Sequence, residues 1–268
     1  MSIATWNVNS VKARLGNITS WLQQAAPDVL LMQEIKCETE AFPTSAFRDL
    51  GYHVAVLGQK AYNGVAILAK MPLEAVRTGL PGAEADPQAR YIEADCGGVR
   101  IGCLYLPNGN PVGTEKYPYK LAWMDHLARH VETLLATEQP FVLGGDYNII
   151  PAAADVYDPQ AWATDALFRL ESRARFRTLL NLGLTDAFRV RHAEPGAYTF
   201  WDYQAGAWPR DLGLRIDHFL LSPQAVDRLD DCVIDRGPRA QEKASDHTPV
   251  MLTLRDPAKP FAQVHGVS

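Results

Sequence analysis

Short runs of apolar, largely β-branched residues recur along the whole chain, and several stop abruptly at a carboxylate, an amide, a phenol or an imidazole. A run of four to eight such residues bounded by turn formers reads as a strand, being too short for a typical helix. The runs are Ile3–Val8, Val29–Gln33, His53–Leu57, Val65–Ala69, Val99–Leu106, Phe141–Gly145, Ile216–Ser222 and Thr248–Leu254. Helical periodicity appears between them. Val11, Leu15, Ile18 and Leu22 keep it, as do Leu121, Met124, Ala128, Val131 and Leu135, and Phe176, Leu179 and Leu180 with Gly183 as the expected C-terminal cap. Strands outnumber helices and several lie close enough for hairpins. The pattern therefore predicts an α/β fold of mixed sheets packed face to face with helices outside, rather than strict alternation of strand and helix.

No internal repeat, low-complexity tract or long linker divides the 268 residues, although Pro81 to Pro87 reads as a surface loop. One domain over 1–268 is expected, with a catalytic core of about 1–256 and a short C-terminal tail. With 47% hydrophobic and 21% charged residues a large core is affordable and intrinsic disorder is not expected. The N-terminus has no basic lead or apolar core, and no apolar run approaches the roughly 20 residues that span a bilayer, so neither export nor membrane insertion is expected. Cys37, Cys96, Cys103 and Cys232 form no Cys-x-x-Cys pair, which fits reduced thiols in a cytoplasm. The 26 basic and 31 acidic side chains give 26 − 31 = −5, at first sight unfavourable for binding nucleic acid. A metal-dependent nuclease, however, carries a carboxylate cluster that a tally without the cation counts as acidic.

Polar residues at strand ends project from a rigid scaffold into functional loops. Ile3 to Asn9 ends with the amides Asn7 and Asn9; Val29 to Glu34 ends with a carboxylate; Gly102 to Asn108 ends with Tyr105 and Asn108. Phe141 to Asn148 ends with Asp146 and Asn148, two apart and therefore on one face if the strand continues. The last pair is Arg215-Ile-Asp217 and Ser245-Asp246-His247. Each has an ordinary reading: a turn former, a helix-initiating acid, an Asx turn, a solvated loop. Together they are the inventory that holds a hard divalent cation through oxygen and handles a phosphate ester. No serine elbow, phosphate-cradling glycine loop or HExxH helix competes.

The chain resembles the exonuclease III family of abasic-site endonucleases, within the endonuclease/exonuclease/phosphatase superfamily. The blocks that carry the resemblance are Trp-Asn7-Val-Asn-Ser, Leu-Met-Gln-Glu34-Ile-Lys-Cys, Tyr105-Leu-Pro-Asn108-Gly, Gly-Gly-Asp146-Tyr-Asn148, Tyr198-Thr-Phe-Trp-Asp-Tyr203, Gly213-Leu-Arg-Ile-Asp217 and Ser245-Asp246-His247-Thr-Pro. They stand in family order over almost the whole chain. The resemblance implies a four-layer α/β sandwich of two packed mixed β-sheets flanked by helices, dependence on Mg2+ or Mn2+, and incision of double-stranded DNA 5′ to abasic sites. Activity on blocked 3′ ends, as 3′-phosphatase, 3′-phosphodiesterase or 3′-to-5′ exonuclease, is also implied, and the expected state is a monomer acting on DNA in the cytoplasm.

By the same resemblance Glu34 holds the cation, with Asn7, Asp246, Asp146, Asn148 or Asn9 shaping its shell. Asp146 activates water, Asn148 keeps it aligned, His247 oriented by Asp217 meets the phosphate, and Tyr105 meets the phosphate or the leaving oxygen. Asn108, Phe200, Leu214, Trp208 and Asn9 are expected to bind substrate: Phe200 and Leu214 as a small apolar pocket for a sugar without its base, Trp208 as a wedge. Of the adjacent Phe200 and Trp201, one is expected to face the site and the other the core. Two departures stand out. Asn9 occupies a position where some relatives carry Asp, which weakens a second metal position, and Pro151–Phe168 contains no Lys or Arg, so the grip on phosphates is sought at Lys12, Arg14, Lys36, Lys60, Lys116, Lys120, Arg210 and Arg215. Two other readings are another phosphoesterase of the superfamily and a non-catalytic nucleic-acid-binding regulator of the same fold, resembling the catabolite repression control protein.

Overall fold

Alternation along the strands decides the architecture. Ile3, Val29, Leu31 and Ile67 share one buried cluster with Ile101, Val142 and Phe219, while their strand neighbours Ala4, Trp6, Leu30 and Leu68 belong to another. Each sheet is therefore covered on both faces. The computed structural model describes residues 1–257. The predicted C-terminal tail lies almost wholly outside them.

Twelve strands are described: β1 Ser2–Asn7, β2 Val29–Gln33, β3 His53–Leu57, β4 Val65–Ala69, β5 Glu74–Thr78, β6 Tyr91–Cys96, β7 Val99–Tyr105, β8 Phe141–Asp146, β9 Thr185–Asp186, β10 Asp217–Leu221, β11 Leu229–Ile234 and β12 Val250–Leu254. Six helices join them: α1 Leu15–Ala25, α2 Thr44–Arg48, α3 Lys116–Leu135, α4 Leu170–Asn181, α5 Ala187–Arg191 and α6 Pro223–Val226. The strands form two six-stranded sheets, ordered β11-β12-β1-β2-β4-β3 and β5-β6-β7-β8-β10-β9. Each is mixed, with β1–β2 parallel in the first and β7–β8 parallel in the second. The first sheet's outer face packs on Ile18, Trp21 and Leu22 of α1 and Phe47 of α2, and the second's on Trp123, Leu127 and Val131 of α3 and Phe176 and Leu179 of α4. This is the expected four-layer α/β sandwich.

Four strands escaped the periodicity argument. β5 is exposed at every position and β9 has only two residues. β6 carries Glu93 inside an apolar run, and this carboxylate is buried because Arg100 and His130 reach it at 2.6 and 2.9 Å. β11 begins Leu-Asp-Asp and is bulged against β12. The first helix is shorter than its pattern: Val11 lies in the preceding turn and α1 starts at Leu15. Gly183 follows α4 with φ +121°, as a C-terminal cap requires.

Candidate active site

The row of side chains facing the inter-sheet core turns polar at one end of the sandwich. On β1 the row runs Ile3, Thr5, Asn7, and on β2 Val29, Leu31, Gln33, with Asn7 paired to Gln33. On the opposing sheet β8 ends at Asp146, which stands beside Tyr105 of β7 on one side and Asp217 of β10 on the other. Gly145 permits this: a Cβ there would lie 2.0 Å from the Leu104 carbonyl oxygen. Register alone thus gathers Tyr105, Asp146 and Asp217 at one end of the second sheet, and the packing of the sheets sets Asn7 of the first beside them.

Hydrogen bonds then wire the two sheets together. Asn7 Nδ2 donates to Glu34 Oε1 at 2.8 Å and to Asp146 Oδ2 at 2.9 Å, spanning from the first sheet to the second. Glu34 follows β2 with φ +50°, and its carbonyl accepts from the Ser10 amide, tying the loops after β1 and β2 together. Lys36 Nζ lies 2.8 Å from Glu34 Oε2 and donates to Asn9 Oδ1 at 2.6 Å. Asn9 Nδ2 donates to Asp246 Oδ1 at 3.1 Å, so Asn9 and Asp246 form the rim of the site.

The loop before β12 delivers His247. Its Nδ1 lies 2.9 Å from Asp217 Oδ2; a carboxylate only accepts, so Nδ1 carries a proton and Nε2 points toward Asp146 Oδ2, 3.7 Å away. Asp217 Oδ1 is buried with no hydrogen-bond partner among the described residues. Burial works against charging His247, but Asp217 and Asp146 outweigh it and push its pKa well up. Asp146 is raised by burial first, with Asp217 and Glu34 adding to it and His247 opposing. Burial also opposes ionisation of Glu34, yet Lys36 and the Asn7 amide hold its carboxyl below the usual range. Tyr105 is raised well above an ordinary phenol by burial and by the Glu34 and Asp146 carboxylates, so it is a hydrogen-bond donor at neutral pH.

The strand geometry expected through Asn148 does not continue. β8 stops at Asp146, and Asn148 turns left-handed with φ +46° because its amide N–H bonds Asp146 Oδ1 at 2.9 Å. Its side chain donates to the Leu106 carbonyl and accepts from Asn108 Nδ2 at 3.1 Å. Glu34, Tyr105, Asn108, Asp146, Asn148, Asp246 and His247 all border one cavity of about 290 Å³, with Phe200 and Leu214 on its apolar side. Glu34, Asp146 and His247 offer ligand atoms within 4.8 Å of one another.

A model of the Endonuclease/Exonuclease/phosphatase family matches residues 4–247. Exodeoxyribonuclease III of Haemophilus influenzae is 34% identical, over 95% of this chain and all of that protein. The chain belongs to the exonuclease III branch of the endonuclease/exonuclease/phosphatase family. Two solved structures share the fold: a 3′ phosphatase from Neisseria bound to a product DNA hairpin, at 41% identity and TM-score 0.92 over 95% of this chain and 99% of that one, and an AP endonuclease from Archaeoglobus fulgidus, at 37% identity and TM-score 0.91 with the same coverage.

Within this exonuclease III-type site several sequence expectations need revision. Lys120 and Arg215 are fully buried and cannot touch DNA. Lys120 donates to the Asn108 and Asn148 carbonyls, and Arg215 is bound by Asp155 and Asp186. Lys12, Lys60, Lys116 and Arg210 are exposed, whereas Lys36 and Arg14 are half-buried against site residues. Phe200 faces the cavity, 5.0 Å from the His247 ring, and Trp201 is buried behind it. Trp208 does not border the cavity. Its ring packs edge-on against Trp201 at 4.8 Å, with the guanidinium groups of Arg236 and Arg239 over it. Sequence reading missed Asn110, Trp162, Asp165 and Asp202, which border the cavity from loops. No periodicity marks them; Trp162 had a signal as a large aromatic within a stretch devoid of basic residues, and Asp202 as the acid of the Tyr198-Thr-Phe-Trp-Asp-Tyr203 block.

Proposed function

We propose that this protein is a metal-dependent DNA-repair phosphodiesterase that incises duplex DNA 5′ to abasic sites and clears blocked 3′ ends. The observation that carries the reading is the convergence of Glu34, Asp146, Asn148, Tyr105 and the Asp217–His247 pair on one cavity. The names of the relatives point to the same substrate, and the Neisseria 3′ phosphatase supports the 3′-end activity in particular.

The donor set fits Mg2+ or Mn2+. Glu34 and Asp146 offer hard oxygens beside Asn7, and the burial that raises Asp146, reinforced by the neighbouring carboxylates, is an imbalance that a bound cation would relieve. When bound, such a cation supplies charge to the phosphate oxygens and acidifies water. The chain's own groups do the rest. Asp146 takes a proton from the attacking water, and the Asn148 N–H fixes the carboxylate that receives it. His247, held by Asp217, donates from Nε2 to a phosphate oxygen, and the Tyr105 phenol donates to the departing 3′ oxygen. Phe200 and Leu214 accept a sugar without its base, and extrusion costs least where no base is stacked.

The test is nicking of a duplex containing one tetrahydrofuran abasic analogue, with and without Mg2+, beside an intact duplex, a 3′-phosphate end and a small phosphomonoester. Incision of the abasic duplex that chelation abolishes is expected. Full activity in excess chelator removes the metal-dependent mechanism, preference for the small phosphomonoester favours another phosphoesterase of the family, and binding without hydrolysis favours a regulator.

A further inference from the structure

Lys120 has no part in the chemistry above, yet it is a fully buried amine directly beneath the site. It lies in the first turns of α3, on the outer side of the second sheet. Its Nζ donates to the Asn148 carbonyl at 2.6 Å and the Asn108 carbonyl at 3.0 Å. These carbonyls belong to different loops, one following β7 and the other β8, and Asn108 Nδ2 also donates to Asn148 Oδ1. The stem is confined as well: a Cβ on Gly109 would lie 2.6 Å from Lys120 Cδ.

Buried amines are costly, and a methionine or leucine would fill the same space without that cost. What an apolar side chain cannot do is hold two carbonyls. Asn148 adopts φ +46°, a left-handed turn that asparagine tolerates better than most residues, and the Asn108 amide, the Asp146 carboxylate and Lys120 all hold it there. The Asn148 N–H, on the other side of its Cα from the carbonyl that Lys120 holds, bonds one oxygen of the Asp146 carboxylate while Asn7 bonds the other, so a shift of Asn148 is passed to Asp146. We propose that Lys120 is a positioning residue: it clamps the Asn108 and Asn148 carbonyls and so fixes Asp146 and Asn148 in the geometry from which water is activated. Two donors serve two carbonyls, so the clamp holds with or without the third proton on Nζ. The inference rests on the phosphodiesterase reading for its catalytic consequence and on the carbonyl contacts alone for the clamp.

The experiment compares Lys120→Met with wild type and with Leu127→Ala, a buried core change two turns further along α3. On the abasic duplex, Lys120→Met is expected to lower kcat by roughly 10- to 100-fold, the scale of a small misplacement of catalytic groups, with KM within about threefold because the DNA-facing surface is untouched. Leu127→Ala should lose stability without that split. Amide resonances of Asn108, Gly109, Asn148 and Ile149 should shift in Lys120→Met and stay in place in Leu127→Ala. A folded Lys120→Met with kcat within about twofold of wild type, or unshifted resonances, overturns the proposal. If Lys120→Met does not fold, Lys120→Gln carries the test: it keeps two N–H donors on a shorter stem, so a smaller kcat loss is expected and an unchanged kcat overturns the clamp. Should wild type hydrolyse no DNA, the functional reading fails, and the resonances still decide the clamp.

Discussion

Two buried ionic clusters share the second sheet, and they are built to opposite ends. In one, Arg215 donates from Nε to Asp155 at 2.6 Å and from both terminal nitrogens to Asp186 at 3.2 and 2.8 Å, while Arg189 adds a second cation to Asp155. Burial opposes ionisation of Asp155 and Asp186, but Arg215 outweighs it and holds both below the usual carboxylate range. In the other, Glu34, Asp146 and Asp217 meet mainly Lys36 and His247, Asp146 is raised, and one Asp217 oxygen has no hydrogen-bond partner among the described residues. The first cluster is satisfied within the protein and serves as scaffold. The second is left short of positive charge and of hydrogen bonds, as the proposed binding of a cation and a phosphate ester requires.

The contrast breaks if removing a charge costs the same thing in both places. Asp146→Asn should cut turnover on the abasic duplex by roughly 10²–10⁴-fold, the range for loss of a general base, with KM little changed. Because Asp146 is raised in the folded protein, its ionised form destabilises the fold as pH rises above the usual aspartate range. The variant should therefore match or exceed wild type in Tm at neutral pH without divalent cation. A near-normal rate would move the base elsewhere; a large fall in Tm would show that this cluster is scaffold too.

Arg215→Met should do the reverse. It takes the guanidinium from buried Asp186 and leaves Asp155 with Arg189 alone, and removing one member of a buried ion pair typically costs about 3–5 kcal/mol. Urea unfolding measures the loss, and turnover per folded molecule should survive it. A stable but inactive Arg215→Met would mean that the closed cluster belongs to catalysis.

Acid sharpens the same distinction through a third ionic group. Burial opposes ionisation of Glu93, but His130, Arg100 and Tyr91 outweigh it and bring its pKa from near 4.5 down to about 2. A carboxyl depressed by folding gives stability that is fully present above its unfolded pKa and lost as pH falls toward its folded one. Unfolding free energy should thus decline from about pH 4.5 to about pH 2, by on the order of 3 kcal/mol for this group. Asp155 and Asp186, also depressed, add loss in the same direction. Glu93→Gln should flatten the decline, and an unchanged slope would remove Glu93 as its source.

How much of this was legible in the sequence follows from what each residue answers to. Asn7, Tyr105, Asp146 and Asp217 end apolar strands, so periodicity and strand register both lead to them. Glu34 and Asn148 were legible as residues but not as conformations: the Ser10 amide reaches the Glu34 carbonyl from another loop, and the Asn148 turn, closed locally on Asp146, is also held by Asn108 and Lys120. Arg215 and Lys120 were misplaced for one reason: a cation in a sequence looks the same whether it faces water or a buried carboxylate or carbonyl, and only the fold brings Asp155, Asp186, Asn108 and Asn148 to them. Glu93 hid β6 for the same cause, since its partners come from β7 and α3. Trp208 lies in the expected loop, but its stack with Arg236 and Arg239 depends on a segment almost thirty residues later.

The smallest expected effect concerns the half-satisfied pair inside the open cluster. His247 Nδ1 donates to one Asp217 oxygen while the other is unpartnered, so Asp217 is committed to orienting the imidazole rather than to a closed network. Asp217→Asn and His247→Asn should each reduce turnover severely, since the first removes the acceptor that fixes the imidazole and the second removes the donor to the phosphate. If the carboxylate acts only through the ring, nothing is left for the second substitution to remove. The double variant should then lose less than the product of the two single losses, with a coupling of about 0.5–3 kcal/mol. The same cycle on Arg215 and Asp186, read in unfolding free energy, should couple in stability and leave turnover uncoupled. Multiplicative losses in the first cycle would separate Asp217 from His247 and give the unpartnered oxygen a role of its own.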